Sequence, residues 1–384
     1  MTSTPSTPIT PPAQIPRPTR PLSPFEVRLE RRLDVPRWMP PAATIGAVIV
    51  ALAIGGVIIA LVGGDPVRSY LHIADAAFGS VGVLSDTLVT ATPLILAGLA
   101  CALAFRMRLW NIGAEGQLLM GAWGAAAVVL VPIVPADAPA PLFIGAMLVA
   151  GFAMGALWGF IPGVLKARLG VNEIIVTLML NYIAALWITF WVFGPWNEGG
   201  FQLTAEFPKA AWLPRLTDFT ESFKGFAGLT IHGGFVIALA AAVALWYILK
   251  RSRWGYEIRL IGDSPRAARY AGIDIARNTI LVFMISGGLA GLAGMSEVAG
   301  TVHRLQQGIS PGYGFTAIIV AYIAKFNPLG VVVAAIFFGA LILAGREIQP
   351  SGVPSMIQGI LLFALIGSEV LLRYRVRLVR RIRG

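Results

Sequence analysis

The sequence predicts an all-α, polytopic membrane protein of about ten transmembrane helices, laid out as two inverted five-helix repeats. Three observations predict it. The 384 residues are 57% hydrophobic and 13% charged, against roughly 25% charged in a soluble domain. Apolar stretches of about 17 residues or more, long enough to cross a bilayer, recur along the chain. Two apolar stretches, one in each half, are broken by polar and glycine-rich segments.

Residues 1–41 hold 11 of the 26 prolines, with Ser, Thr and Arg, and are expected to form a disordered tail. This tail is not a secretory signal, because the apolar run that follows, Ala42–Val62, is long enough to span. Further spans are expected at Thr87–Phe105, Gln117–Val134, Leu142–Val164 and Glu173–Phe193, closing a first repeat over 42–193. The second repeat, 233–372, is expected to hold Gly233–Leu249, Asn278–Glu297, Gly314–Lys325, Leu329–Ala344 and Ser355–Leu372. Gly314–Lys325 is too short to cross alone and is assigned to a discontinuous helix starting near Ser310. Residues 373–384 form a basic tail. Gly151, Gly155 and Gly159, and again Gly287 with Gly291 and Ala290 with Gly294, recur every four residues and predict close helix packing within the chain.

Placing both termini in the cytoplasm puts 24 of the 30 Lys and Arg residues on inner segments. That bias satisfies the positive-inside rule, so the net charge of +11 reflects topology and not nucleic-acid binding. Five spans per half force the second half to run opposite to the first, which is the geometry of inverted repeats.

The first interruption is Trp110-Asn111-Ile112-Gly113-Ala114-Glu115-Gly116-Gln117. A carboxylate and two amides at membrane depth are costly unless they face a cavity or a partner. Two glycines let the helix break there. Such a segment marks either a solute pathway or a short wet turn. The second interruption, Ser310-Pro311-Gly312-Tyr313-Gly314-Phe315, marks either the matching half of that pathway or a kink between packed helices.

Two extramembrane connections carry information. The outer one, 194–232, holds Trp196, Phe201, Trp212, Phe219, Phe223 and Phe226 among mixed charges. It suits either the headgroup level or an extracytoplasmic docking partner. In the inner one, 250–277, the stretch Gly262–Ile273 reads as a compact helix. Asp263 or Ser264 caps it, Pro265 opens its first turn, and Gly272 ends it. Ala267, Ala268 and Ala271 keep it slim, while Arg266 and Arg269 flank it. That shape fits a groove on another protein, or an anionic membrane surface.

Some chemistry is absent. The chain has no P-loop for ATP, no His-Glu-x-x-His and no nucleophile elbow. His72, His232 and His303 lie too far apart to suggest a metal site by spacing, and the single Cys101 allows neither a disulfide nor a cysteine-ligated zinc.

Trp110–Gln117, Gly170-Val-Asn-Glu-Ile-Ile-Val-Thr-Leu-Met-Leu-Asn-Tyr-Ile183 and Ser310–Ile318 together resemble permease subunits of bacterial ABC importers. The nearest branch is the nucleoside and simple-sugar group within the branched-chain amino acid/ribose permease family, and the similarity runs from Ala42 to Arg377. The resemblance implies a multi-pass protein of the bacterial inner membrane, not an enzyme. It implies a second, homologous permease and an extracytoplasmic substrate-binding lipoprotein. A separate ATPase subunit would bind the ATP and Mg, leaving this chain without a cofactor. The helix formed by Asp263, Arg266, Ala267, Ala268, Arg269, Gly272 and Ile273 would dock on that ATPase. Solute would pass by alternating access near the midplane. Asn111, Glu115, Gln117, Asn172, Glu173, Asn181 and Glu297 are the expected polar lining, with Trp110, Tyr182, Tyr313 and Phe315 placed to stack on a base. Glu173 has a second reading, as a charge at the start of its helix. An ion-coupled secondary transporter, or an importer of sugars or branched-chain amino acids, are the alternatives.

Overall fold

The computed structural model describes residues 25–32, 34, 36, 38–135, 138–345 and 353–380, which fall into two units. The first comprises Met1–Ala47 and Leu365–Gly384. In it β1 (Phe25–Arg31) pairs antiparallel with β2 (Tyr374–Arg380), Phe25 opposite Arg380 and Arg31 opposite Tyr374. Both segments alternate apolar and charged residues, the period-two pattern of a strand. The tails expected to be disordered and merely basic thus carry a short ribbon; residues 1–24 and 381–384 lie outside the described residues. The next helix after β1 is α1 (Met39–Leu61), and the helix before β2 is α13 (Val353–Arg373).

The second unit, Val48–Ala364, is helical. Its axis is α3 (Val81–Arg106), whose most apolar window is 89% buried. Ser80 caps α3 by accepting from Val83 N–H. Against α3 pack α7 (Gly233–Arg251), α10 (Ile275–Ser296), α11 (Tyr313–Ile323) and α12 (Pro328–Gly345). On the other side of α10 lie α4 (Ala114–Leu130) and α5 (Ala140–Leu169), with α6 (Glu173–Phe193) outside them. Among the described residues, seven helices are long and apolar enough to cross a membrane, and Ala114–Leu130, Tyr313–Ile323 and Met356–Ser368 are shorter apolar ones. Each expected span overlaps one of these.

Glycine permits the tightest crossings. A Cβ on Gly121 would overlap the backbone of Gly291, one on Gly155 the backbone of Gly287, and one on Gly159 the carbonyl of Phe283. The four-residue glycine spacing therefore is an intrachain seam where α4, α5 and α10 touch backbone to backbone.

Helix α2 (Pro66–Phe78) was not expected from the sequence. Thirteen residues are too few to span, and its polar and apolar residues fall on different faces of the helix. Asp65 caps it, accepting from Val67 and Arg68 N–H. In the connection 250–277 the compact helix expected within 262–273 forms as α9 (Pro265–Tyr270), capped by Ser264, and a further helix that was not expected, α8 (Arg253–Asp263), precedes it. Gly262, in the last turn of α8, lies against the carbonyl of Arg106, where no side chain fits.

Candidate functional site

The two interrupted segments meet. Gly113 opens α4 and Gly312 opens α11, and the first turns of these two short helices lie against each other, with Gly314 packed on the backbone of Ala114 and Glu115. Asn111, fully buried, donates through Nδ2 to Gln117 Oε1 and Ser286 Oγ, each at 2.8 Å. Its Oδ1 accepts from Gly113 N–H at 3.1 Å and Gln117 Nε2 at 3.2 Å. Ser286 Oγ in turn donates to the Ala100 carbonyl of α3 at 2.7 Å. Asn181 Oδ1 accepts from Gly116 N–H at 2.8 Å, and its Nδ2 donates to Ile112 O at 2.9 Å. Glu115 Oε2 accepts from Gly314 N–H at 2.7 Å. The break is thus held by a polar network joining α3, α4, α6, α10 and α11. Asn111→Ala strips the partner from Gln117, Ser286 and Gly113 together. It is expected to cost about 2–3 kcal/mol, read as a lowered thermal midpoint of the purified permease.

The other expected lining residues are spread more widely. Tyr313 is buried beside the break, whereas Trp110 and Phe315 are each 44% exposed and Tyr182 is 62% exposed on α6. Trp110 rests its ring on Phe105, 5.1 Å between centroids. Asn172 and Glu173 sit at the start of α6: Asn172 Oδ1 caps it, accepting from Ile174 N–H, and Glu173 pairs with Lys166 at 2.7 Å. Glu297 is buried at the far end of α10, where a π-helical turn (Glu297–Val302) begins. Ser286, part of the network, was not singled out from the sequence.

Sequence reading also missed a cluster beyond the ends of α7 and α10. The segment 204–213 lies along 299–305, with Leu213 N–H on Ala299 O at 2.8 Å and Phe207 N–H on His303 O at 2.8 Å. Arg215 Nη2 donates to Gly300 O at 2.8 Å and to His303 Nε2 at 2.7 Å. Trp212 stacks on the His303 ring at 3.7 Å. His232 caps α7, its Nδ1 accepting from Gly234 N–H at 3.1 Å. Burial and the Arg215 charge hold both imidazoles neutral, lowering each from near 6.5 to about 4. Detaching the segment returns both rings to water, where they bind protons more readily. The seat is therefore full strength above about pH 6.5 and weakens as pH falls toward about 4. Amide exchange over 204–213 is expected to quicken between pH 7 and pH 5, beyond the intrinsic pH dependence of exchange.

At the other face, α9 stands out from the body. Ser264 Oγ caps it, accepting from Ala267 N–H at 3.3 Å, and Gly272 at φ +74 ends it. Ala268 is fully buried and seats the helix, while Arg266, Ala267, Arg269 and Ala271 are exposed. Asp263 closes α8, and Ile273 N–H turns back to the Ala268 carbonyl.

Short broken helices joined by their first turns inside an apolar bundle define a membrane transport protein. The chain belongs to the branched-chain amino acid transport system permease family, whose pattern matches residues 83–366. It is a transport permease and not an enzyme. It is 37% identical to a glucose ABC transporter permease protein of Haloferax volcanii, over 91% of this chain and 93% of that one. It is equally 37% identical to a guanosine ABC transporter permease protein of Bacillus subtilis, over 87% and 93%. A nucleoside ABC transporter permease protein of Lactococcus lactis is 31% identical over 83% and 88%. A second guanosine permease protein of Bacillus subtilis matches 67% of the chain at 28% identity.

Proposed function

We propose that this permease imports nucleosides or related simple sugars across a bacterial inner membrane, as one of two homologous membrane subunits. The observation that carries this reading is the near full-length likeness to permeases whose names specify guanosine, nucleosides and glucose. A separate ATPase subunit binds ATP and Mg and drives the cycle. A substrate-binding lipoprotein delivers solute from outside. The two Bacillus guanosine permeases, both similar to this chain, support pairing with a non-identical partner.

Both termini face the cytoplasm, following the charge bias, and 42–193 and 233–372 act as inverted repeats that alternate access. The exposed aromatics Trp110, Tyr182 and Phe315 face the solute, with Tyr313 and the amides of Asn111, Gln117 and Asn181 fixing the breaks behind them. Asn172 and Glu173 shape the inner mouth and Glu297 the outer one. Helix α9 docks on the ATPase through Asp263, Arg266, Ala267, Arg269, Gly272 and Ile273, held from behind by Ala268. The direct test is uptake of labelled guanosine and glucose by vesicles containing the assembled complex. ATP-dependent accumulation of either is expected. Uptake by this chain alone, driven by a proton gradient without ATPase, would make it a secondary transporter instead.

A further inference from the structure

The residue that precedes α11 supplies no side-chain cap. Gly312 precedes it at φ +92, a left-handed conformation that glycine adopts without strain, and offers no side chain to the first amides. Those amides have no acceptor within the helix. Tyr313 N–H donates to Ser310 Oγ at 3.1 Å, and Gly314 N–H donates to Glu115 Oε2 at 2.7 Å, across 199 residues of sequence. Ser310 Oγ also accepts from Gly312 N–H at 3.3 Å.

Helix α4 borrows its cap in the same way. Gly113 gives it none, and Asn181 on α6 accepts from Gly116 N–H. A relay results: α6 caps α4, and α4 caps α11. Two helix N-termini, each carrying partial positive charge, abut at a contact too close for any side chain on Gly314. Between them lies one carboxylate, 8% exposed.

We propose that Glu115 is a positioning residue: its carboxylate is the borrowed N-cap of α11, fastening the two broken helices into one node, and it does not contact the solute. This rests on reading the chain as an importer permease. Two substitutions separate capping from solute contact. Glu115→Gln keeps an acceptor oxygen for Gly314 N–H, while Glu115→Ala removes it. In the assembled complex, Glu115→Ala is expected to lower the maximal uptake rate about tenfold at unchanged KM, while Glu115→Gln stays within about threefold of the parent. In the permease alone, Glu115→Ala is expected to speed exchange of the amides of 313–316 by about tenfold or more, and Glu115→Gln to leave them protected. Should Glu115→Ala fail to fold, Ser310→Ala, which removes one arm of the cap, is expected to speed the same amides by a smaller factor. A raised KM in both Glu115 variants with unchanged exchange overturns the proposal and makes Glu115 a solute contact. Unchanged exchange in Glu115→Ala or, where that variant does not fold, in Ser310→Ala, also overturns it. The exchange measurement needs no transport, so it decides the cap even if the parent complex shows no ATP-dependent uptake.

Discussion

Gly291→Val is expected to abolish the folded permease. At this position α10 meets α5 with nothing between the chains: an added Cβ would overlap the carbonyl of Gly151 and press on the Cα of Gly155. The same backbone is what a side chain on Gly121 would strike. Relief requires moving a helix and not rotating a side chain, because every neighbour in question is main chain. Overpacking by one side chain commonly costs about 1–3 kcal/mol when side chains can yield. Here three helices would have to separate, and the close approach that favours helix association in a bilayer would be lost with them. The expected result is protein that is degraded or aggregated in membranes, read by size-exclusion profile after detergent extraction. Gly145→Val on α5 is the control. Nothing lies within 4 Å of a Cβ at Gly145, so its profile should match the parent. A normal profile for Gly291→Val would mean that the seam is looser than the backbone contacts imply.

The seam was legible because its glycines recur at helical spacing, a pattern that survives in one dimension. The bounds of α6 were also legible, since Asn172 caps it and Gly194 follows its last residue. Helices α2 and α8 were not. Their mixed polar and apolar residues look like loop when hydropathy is the signal, and the capping Asp65 and Ser252 are too common to mark a start alone. At the site, Asn111, Glu115, Gln117 and Asn181 drew notice as polar groups in apolar surroundings. Ser286 did not, because serine in an apolar helix ordinarily bonds its own backbone. Its bonds to Asn111 and Ala100 exist only once α10 lies beside α3 and the break. The Arg215–His303 contact, 88 residues apart in sequence, had no local signature either.

Tyr270→Ala is expected to uncouple the permease without unfolding it. Tyr270 ends α9 and is 94% exposed, so the chain itself gains almost nothing from the ring. An exposed tyrosine beside Arg266 and Arg269, on a helix anchored from behind by the buried Ala268, has the make-up of an interface anchor. Truncating such an anchor typically costs about 2 kcal/mol or more of binding energy, which is about thirtyfold in affinity. ATP-dependent uptake by the complex should fall by about tenfold or more, and the ATPase subunit should be lost when this permease is purified by affinity tag. The thermal midpoint of the isolated permease should not move. Arg266→Glu should act in the same direction, and more weakly in high salt if its role is electrostatic attraction to an acidic groove. An unchanged yield of co-purified ATPase with both variants would remove α9 as the docking element. The contact would then have to be sought on another exposed element.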